Sequence, residues 1–182
     1  MSQRLVVIIG SSGVGKTTLA SALQEELLPR QWVHFSADTL LYCFPASVVK
    51  RVDEDNEHSA VDGNAIVNAA YACARVLLDQ GHSVIFDAVV LNRVGAERLR
   101  QQFDCFGPLI VELTCSWDTL RDRTLRRGDR SLAEADHGFK NGRGHIKAHL
   151  VFDTTETGAQ AIAASIAAHM RALAEQPDRT SP

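Results

Sequence analysis

No apolar run in this 182-residue chain approaches the ~20 residues of a membrane helix. A membrane-spanning class is therefore not expected. Neither charge sign dominates: 19 Lys and Arg face 22 Asp and Glu, for a net charge of −3. That balance argues against nucleic acid as the main partner. Cysteine is scarce, and Cys43, Cys73, Cys105 and Cys115 form no CxxC pair, which removes a zinc site from contention. They read instead as small buried apolar residues in a reducing cytoplasm. No internal repeat is present. The chain enters its first strand almost at once, leaving no room for a cleaved leader, so the expected location is cytoplasmic. Apolar residues make up 45%, enough for one domain over residues 1–176, with a polar, flexible tail at 177–182.

What the sequence does contain is a strand, a glycine loop and a helix in that order. Leu5 to Ile9 is wholly apolar; Gly10-Ser11-Ser12-Gly13-Val14-Gly15-Lys16-Thr17 follows; Lys16 to Leu28 has helical character. This is the context of a phosphate-binding P-loop. Glycines let backbone N–H groups curl around an anion, and the helix start adds unpaired donors. Lys16 can reach the β- and γ-phosphates, and the Thr17 hydroxyl can ligate Mg²⁺. Gly10, Ser11, Ser12, Gly13, Val14, Gly15, Lys16, Thr17 and Thr18 are the expected contacts of a nucleoside triphosphate.

Further apolar runs at Val33–Phe35, Ser83–Asp87, Leu109–Thr114 and Leu150–Asp153 predict four more strands. Helical patterns cover Asn64–Gln80, Val94–Phe103, Asp118–Arg127 and Gly158–Ala174, with a helical turn over Thr39–Phe44 closed by Pro45. Lys50–Gly63, carrying Asp53, Glu54, Asp55 and Glu57, reads as a loop or flap, and Gly128–Gly144 as a polar segment with four glycines. Apolar strands alternating with helices imply an α/β fold, a three-layer P-loop architecture with a five-stranded parallel sheet. By analogy with small P-loop kinases, the expected order is 2-3-1-4-5. Right-handed crossovers then bring the P-loop, Asp38, Asp87, Cys115-Ser116 and Asp153-Thr154 to one crevice.

Asp38 sits at the end of strand two, where a carboxylate could accept a proton from an acceptor hydroxyl or simply cap the next helix. Asp87 ends an apolar strand in the Walker-B manner and could hold Mg²⁺. Arg123, Arg126, Arg127 and Arg130 lie close together. They suit a lid over residues 123–144 whose guanidinium groups meet the phosphates, with Arg127 and Arg130 as the phosphate ligands and Arg123 stacking on adenine. His145 and His149 stand four apart but lack a zinc-protease glutamate and read as ordinary surface histidines.

These stretches together resemble the chloramphenicol phosphotransferase family of small P-loop kinases. The similarity is carried by the P-loop, Phe35 to Leu40, Val84 to Leu91, Arg123 to Arg130, and Val151 to Thr155. The resemblance implies ATP and Mg²⁺ as cofactors and phosphorylation of the primary hydroxyl of chloramphenicol, which inactivates the drug. It places the catalytic base on Asp38 and the lid arginines on Arg127 and Arg130, beside Lys16. The family often carries a second aspartate after the strand-three aspartate; here Ala88 stands there. A kinase of similar build acting on a sugar acid, shikimate, a nucleotide sugar or another antibiotic is the nearest alternative. A nucleotide-gated binding module with little turnover is the alternative of another class. A nucleoside monophosphate kinase fits less well, since Pro45–Ala70 offers only Lys50 and Arg51 for an acceptor phosphate.

Overall fold

The computed structural model describes residues 3–53, 60–128 and 131–175. Five strands, β1 (Leu5–Ile9), β2 (Trp32–Ser36), β3 (Ser83–Ala88), β4 (Leu109–Thr114) and β5 (Leu150–Asp153), form one parallel sheet in the order β2-β3-β1-β4-β5. The expected order is thus the observed one. β1 is central and buried along its whole length, which is why its five residues are all apolar. Its neighbours set the register: Ile8 stands opposite Asp87 of β3 and Val111 of β4.

The period of two along β1 divides the core. Val6 and Ile8 face one side, with Leu19 and Leu23 of α1 (Lys16–Glu26) and Ile162 and Ile166 of α8 (Ala159–Glu175). Leu5, Val7 and Ile9 face the other, against Ala70, Ala74 and Leu78 of α4 (Gly63–Asp79) and Leu99 and Phe103 of α5 (Arg93–Phe103). There the rings of Tyr71, Phe86 and Phe103 pack with centroids 5.0–5.5 Å apart. Truncating a fully buried ring such as Phe103 to alanine costs about 3–5 kcal/mol.

The remaining helices differ in part from the sequence expectations. α2 (Ala37–Leu41) starts before Thr39, because Ser36 and Thr39 form a capping box around its first turn. α3 (Ala46–Asp53) runs into the stretch expected as a loop, over Lys50–Asp53. Pro45 opens this helix rather than only closing the previous turn, its carbonyl accepting from the N–H groups of Val48 and Val49. The acidic positions 54–57 lie outside the described residues, as does the tail from residue 176. α6 (Trp117–Arg127) appears as expected, but the glycine-bearing stretch after it contains α7 (Leu132–Asn141). Three cysteines, Cys43, Cys73 and Cys105, are exposed, and only Cys115 is buried. Cys73 sits on the solvent side of α4, Cys43 lies in the turn beyond α2, and Cys105 lies in a short 3-10 helix beyond α5. Among the described residues, no helix is long and apolar enough to cross a membrane.

Candidate active site

The loop from Gly10 to Gly15 joins the C-terminal end of β1 to α1 and bends through positive φ at Gly10, Gly13 and Gly15. Gly10 is required twice over: its φ is +151°, and a Cβ there would lie 2.6 Å from the Leu113 carbonyl oxygen. α1 opens on Gly15 with no side-chain cap and no acidic residue in its first turn. Helices α2, α4, α5, α6 and α7 are instead capped by Ser36, Asp62, Asn92, Ser116 and Ser131. An uncapped start that also carries a lysine disfavours itself in water and favours an anion. The Lys16 ammonium is nearly buried and donates to the carbonyls of Gly10 and Ser11 at 3.2 and 3.1 Å.

A cleft of about 630 Å³ opens over this loop. Ser12, Gly13, Val14, Gly15, Lys16, Thr17 and Thr18 form its floor, with Asp38, Asp87, Arg123, Arg127 and Thr154 on its walls. Of the residues expected at the crevice, Gly10 and Ser11 do not line the cleft; Ser11 is buried and bonded to α7. Cys115, Ser116 and Asp153 also stay off the cleft wall. Ser116 caps α6, and burial pushes the Cys115 thiol above its usual range, against the opposing pull of Arg123 and Arg143. The Asp153 carboxylate accepts the Thr155 N–H at 2.7 Å, which holds it below the usual range. Arg130 lies outside the described residues.

Asp38 occupies the first turn of α2, but Ser36 is the cap. Its carboxylate is therefore not consumed by helix capping and stands on the cleft wall. Asp87 is buried at the end of β3, and the Thr17 hydroxyl donates to its Oδ2 at 3.4 Å. One carboxylate and one hydroxyl, both hard oxygen donors beside the phosphate loop, suit Mg²⁺, which completes its shell with phosphate oxygens and water. Among the described residues no three His, Cys, Asp or Glu side chains converge into a metal site of their own.

Sequence reasoning missed one member of this arrangement, His34, and placed Thr154 at the crevice without its hydrogen-bonding role. The His34 ring meets Asp87 Oδ2 at 2.8 Å from β2, a contact between strands that no local motif reveals. Thr154 binds the loop and the arginine helix together. Arg123 donates to its hydroxyl and its carbonyl, both at 2.9 Å, and to the Val14 carbonyl at 3.2 Å. The Thr154 hydroxyl lies 2.9 Å from the Val14 carbonyl and 3.2 Å from that of Thr114.

The sequence profile of the family described as chloramphenicol phosphotransferase-like protein matches residues 3–171. The chain belongs to this family. The observed sheet order is that of P-loop kinases, and solved structures share the fold of this chain. The tunicamycin resistance protein of Deinococcus radiodurans superposes with a TM-score of 0.66 at 18% identity, covering 93% of this chain and 95% of its own. A gluconokinase of Sinorhizobium meliloti gives 0.63 at 19% identity, covering 96% of each chain. APS kinase of Mycobacterium tuberculosis gives 0.66 at 15% identity, covering 94% of this chain and 99% of its own. No curated protein gives a significant sequence match.

Proposed function

We propose that the protein transfers the γ-phosphoryl group of ATP to a hydroxyl of a small molecule, and that chloramphenicol is the first acceptor to test. The observation that carries the reading is that Asp38 and the P-loop share one cleft. In this reading the loop N–H groups and Lys16 bind the β- and γ-phosphates, Lys16 turning to them from the Gly10 and Ser11 carbonyls. Thr17 and Asp87 would hold Mg²⁺, which neutralises phosphate charge and polarises the transferred group.

Asp38 orients the acceptor hydroxyl in line with the γ-phosphorus and takes its proton as the oxygen–phosphorus bond forms and the bond to ADP breaks. Arg127, on the cleft wall, meets the equatorial oxygens where charge spreads in the transition state; Arg130 is proposed for the same task. The guanidinium of Arg123, held at its edge by Thr154, presents a flat face for adenine. Segment 123–144 is the proposed lid. It excludes water, the competing acceptor.

Family membership supports chloramphenicol. Tunicamycin and gluconate, suggested by the tunicamycin resistance protein and the gluconokinase that share the fold, complete a first acceptor panel. ATP consumption with each acceptor, followed by mass spectrometry, tests the reading. A product heavier by one phosphoryl group on a hydroxyl is expected. ATP binding without transfer to any member of a broad hydroxylated panel would favour the nucleotide-gated binding module instead.

A further inference from the structure

His34, Ser36, Ile85 and Asp87 lie on one face of the sheet. In the parallel register His34 pairs with Ile85 and Ser36 with Asp87, and Ile85 packs in the core that includes α1. The His34 ring therefore leans one step forward along the strand to reach Asp87, at 2.8 Å. An ionised carboxylate can only accept, so His34 Nε2 is the donor. Thr17, from α1, donates to the same oxygen. Both donors thus fall on Oδ2, while among the described residues Oδ1 has no hydrogen-bonded partner. Both the His34 and the Asp87 side chains are largely buried, at 19% and 10% exposure, so water competes weakly for the contact.

We infer that His34 is a positioning residue: it pins Asp87 Oδ2 and so fixes Oδ1 as the atom turned to a bound Mg²⁺ or to its water. The inference rests on the reading of Asp87 as a Mg²⁺ ligand. Holding a carboxylate ligand by a hydrogen bond from outside the coordination shell sets its rotamer before the cation arrives. The position supplies this from a neighbouring strand, in a chain where the residue after Asp87 is Ala88 and offers no second carboxylate.

The test compares two variants. His34→Phe keeps a flat ring and removes the donor; His34→Gln restores an amide donor at similar reach. The affinity for a non-hydrolysable ATP analogue is measured by titration calorimetry in Mg²⁺ and again in EDTA, and their ratio is the gain due to the cation. We expect His34→Phe to lower that gain about 10- to 100-fold, the usual effect of losing such a partner, with the EDTA affinity unchanged. We expect His34→Gln to recover most of it. A wild-type gain in His34→Phe overturns the inference, and so does an equal loss in Mg²⁺ and EDTA, which would mark a general structural role. Asp87→Asn separates the two levels. If it abolishes the gain while His34→Phe does not, only the positioning role falls; if it leaves the gain intact, the metal reading of Asp87 falls and the inference with it.

Discussion

The Ser11 hydroxyl donates to the Gly138 carbonyl at 3.0 Å, a buried bond between residues 127 positions apart. It ties the phosphate loop to α7. Phe139 strengthens the tie by packing on Trp117, ring centroids 5.5 Å apart, and Arg143 donates to the Cys115 carbonyl at 2.8 Å. The C-terminal half of α7 is thus anchored to the body of the fold.

Gly142 tests the anchor. A Cβ there would meet the Gly138 carbonyl oxygen at 2.5 Å and the Ser11 hydroxyl at 3.1 Å. The first contact is with backbone and cannot be relieved by a rotamer change. Gly142→Ala should therefore displace α7 from the loop, costing about 1–3 kcal/mol by overpacking. Urea denaturation should show the loss, and ATP affinity should weaken with it. A variant of wild-type stability and affinity contradicts the anchoring.

Thr154 and Arg123 should behave as a pair. Thr154→Val keeps the shape but removes the hydroxyl that Arg123 and the Val14 carbonyl share, leaving them their mutual bond and the bond from Arg123 to the residue 154 carbonyl. A double-mutant cycle with Arg123→Ala, read by denaturation, should give a coupling of about 0.5–3 kcal/mol. Additive effects would show that the two side chains support the loop separately.

Much of this was legible in the sequence, and the exceptions share a cause. The five strands and α1 announce themselves because their signals are local: unbroken apolar runs, and glycines followed by a lysine. Helix α7 was hidden by counting glycines, although Ser131-Leu132-Ala133-Glu134 is a capping-box signature that the structure uses in full. Gly138 inside that helix is tolerated at modest cost. His34 and Thr154 act across strands, and no spacing along one segment encodes such contacts. Asp38 was recognisable by its place after β2, but only the cap at Ser36 shows that its carboxylate is not needed there.

The cysteines give a pH-dependent prediction. Thiolate is the reactive form, and a thiol whose pKa is raised in the folded protein stays protonated to higher pH. Burial raises that of Cys115, whereas Cys43, Cys73 and Cys105 are exposed. Alkylation of the folded protein at mildly alkaline pH, followed by peptide mapping, should label these three well before Cys115. Raising the pH further or unfolding the chain should bring in the fourth. Early labelling of Cys115 in the folded state would contradict its burial.

The proposed chemistry comes down to one carboxylate facing a triphosphate with an alcohol between them. The direct test is the rate of phosphoryl transfer by Asp38→Asn, an isosteric change, to an acceptor that the wild-type protein phosphorylates, with ATP affinity measured alongside. The account predicts transfer slowed about 10²- to 10⁴-fold, the usual worth of a positioned general base, at unchanged ATP affinity. Transfer at the wild-type rate by Asp38→Asn would contradict it.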